Sequence, residues 1–589
     1  MIKVSFNPKN RKFIMRCPFH MNGVAKNFPS RRFDLRNKEW VLSACRKNVD
    51  ELIRLKPSID IDARALEEMG KITEKTKLPE PRPLPAEFHF KSEPMAHQAA
   101  YLDKFHFMPI SAVFAEMGTG KSKMACDKAG AHYYDGSIDA MVIYCPVSVR
   151  SNWVDELRIH LPIELGAWRY SEGAWSNGHV FVADMSESGA EKRFERFLTT
   201  PSKFKVLIVG TESLSVGDGR GKAYLAVYRF LQATRAMQCV DEGHMIKGHD
   251  SIRSNNVVEL GKLSNIKMLM TGTPVLQSVL DMFMYFTYLD PQVIGIDDFY
   301  SFRNRYALLS DDGYNRVVGY DNLEELMQAV QPYVYQCLKA DVLKDLPPKT
   351  YTTIEVELTP EQKKAYLDIK KNKQWASGNI EVSIKNALQK YSALQTIVAG
   401  FIRYDDLEKT AASSSTRVQR STQPICGPHD APKIVALVEF LKEHPHEACI
   451  IWSRYTYEIN MVMEALEKAF PGKAVMFTGE LSTSERDVAK ADFLSGKKKY
   501  FVANQQTGGV GLTLNVADLT VYLSNSFALL DRSQSEDRNH RKGQTKNVLY
   551  VDFVAKGTVD RDILMALRDK KDLSEWVRDR LAGGESLAF

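Results

Sequence analysis

The sequence predicts an α/β protein made of two successive parallel-sheet units, with a helical insertion between them and a small basic N-terminal domain. Three observations carry this reading. Between residues 111 and 270, short apolar runs (Ser111–Ala115, Met141–Cys145, His179–Ala183, Lys205–Gly210, Met237–Asp241, Lys267–Met270) alternate with longer mixed segments. Runs of this length bounded by turn or polar residues read as buried parallel strands joined by helical crossovers. The pattern returns at Ala448–Trp452, Ala474–Phe477, Tyr500–Ala503, Leu519–Leu523 and Val548–Phe553. The third observation is charge: residues 1–56 carry fourteen Lys and Arg against four acids, a balance of +10, on a chain whose total is +6.

A chain of 589 residues, 44% hydrophobic and 26% charged, is too long for one small module and too apolar for global disorder. Its eight cysteines form no C-x-x-C pair and no zinc-finger spacing, so they read as reduced thiols. Met1 leads into a polar, basic stretch, and no run of about 18 apolar residues follows anywhere. These features predict a soluble protein with no membrane role, cytoplasmic or nucleoid-associated. The basic block suits contact with a phosphate backbone; a solvated basic face is the alternative.

The expected domains are a basic unit over 1–78, a proline-stiffened linker over 79–85 (PEPRPLP), a first α/β unit over 86–288, an insertion and linker over 289–430, a second unit over 431–580 and a tail over 581–589. In the insertion, Thr359 and Pro360 suit a helix start, with a helix-compatible segment reaching about Val398. Thr410–Pro428 is rich in Ser, Thr and Pro, the composition of an exposed linker, and marks the expected boundary between the halves. The 79–85 composition predicts few contacts across it, so that removing residues 1–78 would leave a folded remainder.

Chemistry concentrates at Ala115–Ser122 (AEMGTGKS), where a strand should pass through a glycine loop into a helix. Gly118 and Gly120 let backbone N–H groups wrap phosphates, Thr119 lies between them, Lys121 reaches the outer phosphates, and Ser122 can ligate Mg²⁺. Asp241 and Glu242 follow an apolar run: Asp241 can hold the metal through water, and Glu242 can orient the attacking water. Arg538 and Arg541 are three apart and so would share a helix face, where their fixed charge can neutralise a γ-phosphate across a cleft. ATP and Mg²⁺ are the expected cofactors.

In this order the motifs resemble the Swi/Snf group of superfamily-two helicase-like ATPases, across roughly residues 86–565. The resemblance rests on Pro94–Gln98 (PMAHQ), the phosphate loop, Cys145–Trp153 (CPVSVRSNW), Gly210–Leu214 (GTESL), Asp241–His244 (DEGH), Thr271–Pro274 (TGTP), Leu338–Lys349 (LKADVLKDLPPK), Thr478–Arg486 (TGELSTSER), Thr507–Leu514 (TGGVGLTL) and Gln534–Gln544 (QSEDRNHRKGQ). It implies two tandem RecA-like lobes, adenine reading by Gln98, nucleotide contact by Gly511, and DNA contacts by Arg150, Thr211, Arg454 and Thr507. The sequence departs from the family pattern at Lys247-Gly248, at Val275-Leu276-Gln277 and at Gln336-Cys337, positions close to the lobe interface or the DNA path.

Phe28–Trp40 (FPSRRFDLRNKEW) is similar to the core of the HARP domain of annealing helicases. That resemblance implies phosphate contacts by Arg31, Arg32 and Arg36, with Phe33 and Trp40 as stacking groups, or else as the core of a small domain. The resulting expectation is an ATP-driven translocase on double-stranded DNA, monomeric, acting on branched or forked DNA by annealing or fork regression. The alternatives are a motor that displaces DNA-bound proteins such as a polymerase, and an ATP-gated clamp or recruitment factor that does not translocate.

Overall fold

The computed structural model describes residues 2–75, 77–171, 174–216, 220–272, 279–310, 317–342, 346–377, 380–383, 387–405, 420–444, 446, 448–505, 514–541 and 543–569. The chain forms two compact units that divide after Val342.

The first unit opens with a five-stranded sheet in the order Arg31–Asp34, Glu39–Ser43, Lys12–Arg16, Ile2–Asn7, Ile59–Ile61. Ile2 and Val4 point inward while Lys3 between them is exposed, the period-2 pattern of a half-buried strand. Phe13, Met15, Phe28, Leu42, Val49, Leu52 and Met69 fill its core beneath helices Arg46–Leu55 and Ala63–Lys75.

The main sheet of this unit has seven strands, all parallel, in the order Val180–Ala183, Lys205–Gly210, Ala140–Cys145, Ala236–Val240, Lys267–Thr271, Ile110–Ala115, Val334–Cys337. Every residue of Ile110–Ala115, Ala140–Cys145 and Ala236–Val240 is buried, because a separate apolar core covers each face of the sheet. The second unit holds a six-stranded parallel sheet in the order Lys349–Val356, Val548–Ala555, Leu519–Tyr522, Cys449–Ser453, Tyr500–Asn504, Ala474–Phe477, again between two cores. The predicted class, two parallel-sheet lobes and a small basic domain, is the one observed.

The expected insertion over 289–430 is divided differently. Pro291–Ile294, Phe299–Tyr306 and Leu323–Val330 are helices, two of them capped by aspartates: Gln292 N–H donates to Asp290 and Ser301 N–H to Asp298. Val334–Cys337 then completes the first sheet, and Lys349–Val356 opens the second. Both strands lie at sheet edges, the latter mostly exposed, so neither carries the apolar run that marks a central strand. The division between units therefore falls after Val342 instead of within Thr410–Pro428.

Thr359 does cap, in a reciprocal box with Gln362, but the helix ends at Asn372. A short hairpin of Gln374–Ser377 and Ile380–Ser383 separates it from Ala387–Val398. Part of the expected linker is also ordered, Arg420–Pro424 pairing with Phe401–Asp405.

The N-terminal domain is bonded to the helical end of the same unit, contrary to the few contacts expected. Asp297 accepts from Lys12 Nζ, from Ser43 Oγ at 2.5 Å and from Ser30 Oγ at 3.1 Å. Gln292 accepts the Arg46 N–H at 3.1 Å and donates to the Ala44 carbonyl at 3.0 Å. Lys47 donates to the Tyr306 hydroxyl at 3.1 Å and pairs with Glu325. Linker composition reports local chain stiffness; it carries no information about complementary charges 250 residues away.

Candidate nucleotide site and nucleic-acid contacts

The strand Ile110–Ala115 delivers its chain into the glycine loop, and the helix Lys121–Tyr134 starts immediately after Gly120. Gly118 and Gly120 take φ of +82° and +81°, open to glycine at no steric penalty. A Cβ on Gly120 would also lie 2.1 Å from Gln98 Nε2, so the loop's shape and the glutamine's position depend on each other. The Thr119 hydroxyl donates to the Glu116 carbonyl at 2.7 Å and tightens the turn. Lys121 Nζ lies over the loop, 2.9 Å from the Ala115 carbonyl. Free N–H groups at the helix start, a lysine above them and left-handed glycines form a phosphate cradle.

Gln98 is buried beside this loop. Its oxygen accepts the Met95 N–H at 2.9 Å, and its amide donates to the Thr119 carbonyl at 3.3 Å. His97, unremarked in the sequence, has its Nε2 at 2.8 Å from the same carbonyl.

Asp241 stands at the C-terminal edge of the same sheet, two strands from the loop. Both its oxygens are held: Oδ2 accepts the Trp153 indole N–H at 2.9 Å and Oδ1 the Glu242 N–H at 2.9 Å. Burial first, then the Glu242 carboxylate, push Asp241 up to about 6, against the pull of Lys121. Glu242 adopts φ +53°, a left-handed conformation unusual for a side chain of its size, and Gly243 follows because a Cβ there would meet Leu269 at 2.6 Å. His244 Nδ1 lies 3.3 Å from the Glu242 carboxylate. Ser122 and Asp241 offer hard oxygen donors of the kind Mg²⁺ takes alongside substrate phosphates. Among the described residues no group of three or more His, Cys, Asp and Glu side chains forms a metal cage.

In the second unit the helix Leu529–Glu536 ends before either arginine. Arg538 and Arg541 therefore lie in turns, and the shared helix face expected from their spacing does not form. Arg538 is almost fully buried, and its carbonyl accepts the Leu514 N–H at 2.8 Å. Burial lowers Arg541 below its ordinary range, with Asp537 opposing. The turns hang from an anchored helix. Arg532 pairs with both oxygens of Asp552 at 2.6 and 3.0 Å and with Glu536 at 2.8 Å, while stacking 3.6 Å above Tyr522. Glu536 also meets Lys349 at 3.0 Å and the Tyr351 hydroxyl at 2.8 Å. Burial alone would raise its carboxyl, but Lys349 and Arg532 draw it down to about 2.

The residues expected to meet DNA fall into three groups. Arg32 and Arg36 are exposed at the outer edge of the N-terminal sheet, as is Arg31, which also donates to the Phe28 carbonyl at 2.6 Å; beside them the Phe33 ring packs, tilted, against Trp40. Three others are engaged within their own unit. Arg150 bonds to the Ala183 carbonyl at 3.1 Å and to Asp184 at 3.0 Å; Thr211 is buried with its hydroxyl on the Cys145 carbonyl; Arg454 bonds to Gln395 and stacks on Tyr455. Thr507 and Gly511, like Thr273–Ser278, lie outside the described residues.

Residues 48–401, more than half of the chain, match the model of the SNF2-related domain. The chain belongs to the SNF2-related family. Residues 432–543 match the helicase conserved C-terminal domain, so that by class this family member is a helicase-like ATPase. It is 22% identical over 498 residues to ATP-dependent helicase fft1 of Schizosaccharomyces pombe, covering 77% of this chain and 49% of the relative. It is 23% identical to the chromodomain-helicase-DNA-binding protein 1-like of Danio rerio, covering 78% and 41%, and 23% identical to the DNA repair and recombination protein RDH54 of Saccharomyces cerevisiae, covering 77% and 46%. The chain thus spans about half the length of these curated relatives or less. Among solved structures, the Sulfolobus solfataricus SWI2/SNF2 ATPase core in complex with dsDNA aligns with a TM-score of 0.37 at 19% identity, over 87% of this chain and all of that one. No helix among the described residues is long and apolar enough to cross a membrane.

Proposed function

We propose that this SNF2-family chain is a DNA-stimulated ATPase that moves along double-stranded DNA. The observation that carries the reading is the phosphate loop Glu116–Gly120, with Lys121 above it, in one parallel sheet with the strand-end pair Asp241 and Glu242. In this reading Gly118, Thr119 and Gly120 cradle phosphate, Lys121 draws the outer phosphates, Gln98 contacts the base, and Glu242 orients the attacking water. Ser122 and Asp241 would hold Mg²⁺, which supplies charge to the transferred phosphoryl when bound. Arg538 and Arg541 add transition-state charge during the cycle, and Gly511 adds a nucleotide contact. Protein relatives named for helicase activity and for DNA repair support DNA as the partner.

The finer reading is action on branched or forked DNA, with strand annealing or fork regression as its outcome. Its support is the exposed sheet edge bearing Arg31, Arg32, Phe33 and Arg36, which combines phosphate-binding charge with a stacking ring. The engaged states of Arg150, Thr211 and Arg454 support positioning roles over DNA contact at those positions. Steady-state ATPase measured side by side with linear duplex, single strand and forked DNA tests both readings. Stimulation by duplex that Lys121→Ala and Glu242→Gln abolish is the expected result. Equal rates with and without DNA would overturn the motor, and equal stimulation by forked and linear duplex would overturn the fork preference.

A further inference from the structure

The helix Arg150–His160 comes out of a segment whose only expected function was a DNA contact by Arg150, yet that arginine is committed to Ala183 and Asp184. The inward face of the helix points elsewhere. Trp153, 2% exposed, donates its indole N–H to Asp241 Oδ2 at 2.9 Å. Three residues on, hence on the same face, Glu156 faces Ser122 and lies 3.6 Å from His160, whose other ring nitrogen is 2.6 Å from the Ser92 hydroxyl. One helix therefore bonds one of the oxygen donors assigned to the metal and faces the other.

We propose that Trp153 is a positioning residue for the divalent-metal site: its indole N–H fixes the rotation of the Asp241 carboxylate and keeps one lone pair aimed at the ion or its water. The physical reason lies in the pair of bonds on Asp241. The Glu242 N–H constrains Oδ1 alone and leaves the carboxylate plane free to turn; a second donor on Oδ2 fixes that plane. An indole N–H donates and carries no lone pair of its own, so it cannot compete with the carboxylate for the metal. Outer-shell hydrogen bonds of this kind are worth about 10- to 100-fold in metal affinity.

The inference rests on the reading of Asp241 as the metal-bearing carboxylate, and the experiment separates the two. Mn²⁺ is titrated into the full chain in the presence of ADP and followed by electron paramagnetic resonance, for the wild type, Trp153→Phe and Asp241→Asn. Weaker Mn²⁺ binding in Trp153→Phe by about 10- to 100-fold, with ADP affinity in metal-free buffer unchanged, is the expected result. Loss in Asp241→Asn with Mn²⁺ affinity of Trp153→Phe within twofold of wild type overturns the role of Trp153 and leaves the site reading standing. Wild-type Mn²⁺ binding by Asp241→Asn overturns the site reading and this inference with it. Because Phe leaves a gap in a packed position, benzothienylalanine at position 153, which puts sulfur in place of the N–H at nearly unchanged volume, repeats the measurement without a packing defect; unaltered Mn²⁺ affinity there likewise overturns the proposal.

Discussion

The loop at 116–121 and the turns at 537–541 carry charged side chains assigned to one reaction, and they are held in different ways. In the loop, two left-handed glycines, a threonine bonded three residues back and a lysine bonded six residues back set the turn itself, while His97, Gln98, Cys337 and Lys339 hold its rim. The turns with Arg538 and Arg541 follow a helix pinned by Arg532, Glu536, Lys349 and Asp552, groups collected from across two hundred residues. A locally built site can be damaged without unfolding its domain; one anchored by buried charge should fail together with the domain that holds it.

The largest expected effect tests whether the turns act in chemistry at all. Arg541→Ala should lower ATP turnover by about 10³–10⁵ with a much smaller change in nucleotide affinity, read from turnover at saturating ATP beside a nucleotide titration. Unchanged turnover with weakened binding would make Arg541 a ground-state ligand and remove one side of the comparison.

Next comes the anchor. Arg532→Met leaves Glu536 and Asp552 without their central cation and should destabilise the protein by about 3–5 kcal/mol in denaturant unfolding. Glu536 also gives the second unit an acid limit. Its carboxyl, held at about 2, contributes stability that is present above its ordinary 4.5 and is lost as pH falls from 4.5 towards 2. Glu536→Gln should flatten that acid dependence. On the loop side, Gly120→Ala should cost nucleotide affinity and destabilise by only about 1–3 kcal/mol, since the strain falls on one turn and on Gln98. If Gly120→Ala unfolded the protein as readily as Arg532→Met, the distinction between local and anchored construction would collapse.

The N-terminal domain extends the comparison, because its docking also uses charges distant in sequence. Asp297→Ala leaves Lys12, Ser30 and Ser43 without their shared acceptor and should destabilise by about 1–3 kcal/mol, seen as a lower melting temperature. Deletion of residues 1–75 should lower it further. A deletion variant that melts at the wild-type temperature would return the domain to the independent unit that the proline-rich linker suggested.

A further expected effect runs in the opposite direction. Lys128 lies on the buried face of the loop helix with its amine on the Ser111 hydroxyl at 2.9 Å, and burial lowers it to about 7 from an ordinary 10.5. The unfolded chain binds this proton more tightly, so stability should rise between pH 7 and 10.5 by at most about 1.4 kcal/mol per pH unit. Lys128→Met should raise stability at pH 7 and remove that slope, as thermal melts across the pH series would reveal.

What the sequence determined by itself is whatever depends on neighbours along the chain. Glycines at positive φ, the lysine after them, the cap at Thr359 and the fully buried central strands were legible because conformational freedom, capping and apolar runs are properties of a few adjacent residues. The edge strands Val334–Cys337 and Lys349–Val356 were not, since an edge strand is buried on too little of its surface to need an apolar run. Spacing suggested a helix for Arg538 and Arg541, but the chain leaves the helix at Glu536, where buried Asn539 bonds Thr520 at 2.9 Å and the Tyr550 hydroxyl donates to the Glu536 carbonyl at 3.0 Å. Only the tertiary structure decided which basic residues are available to a partner: Lys12, Lys47 and Arg150 are taken up by Asp297, Glu325 and Asp184, while Arg32 and Arg36 remain exposed. Charge can be counted along a sequence, but whether it faces water or an opposite charge depends on which distant segments folding brings beside it.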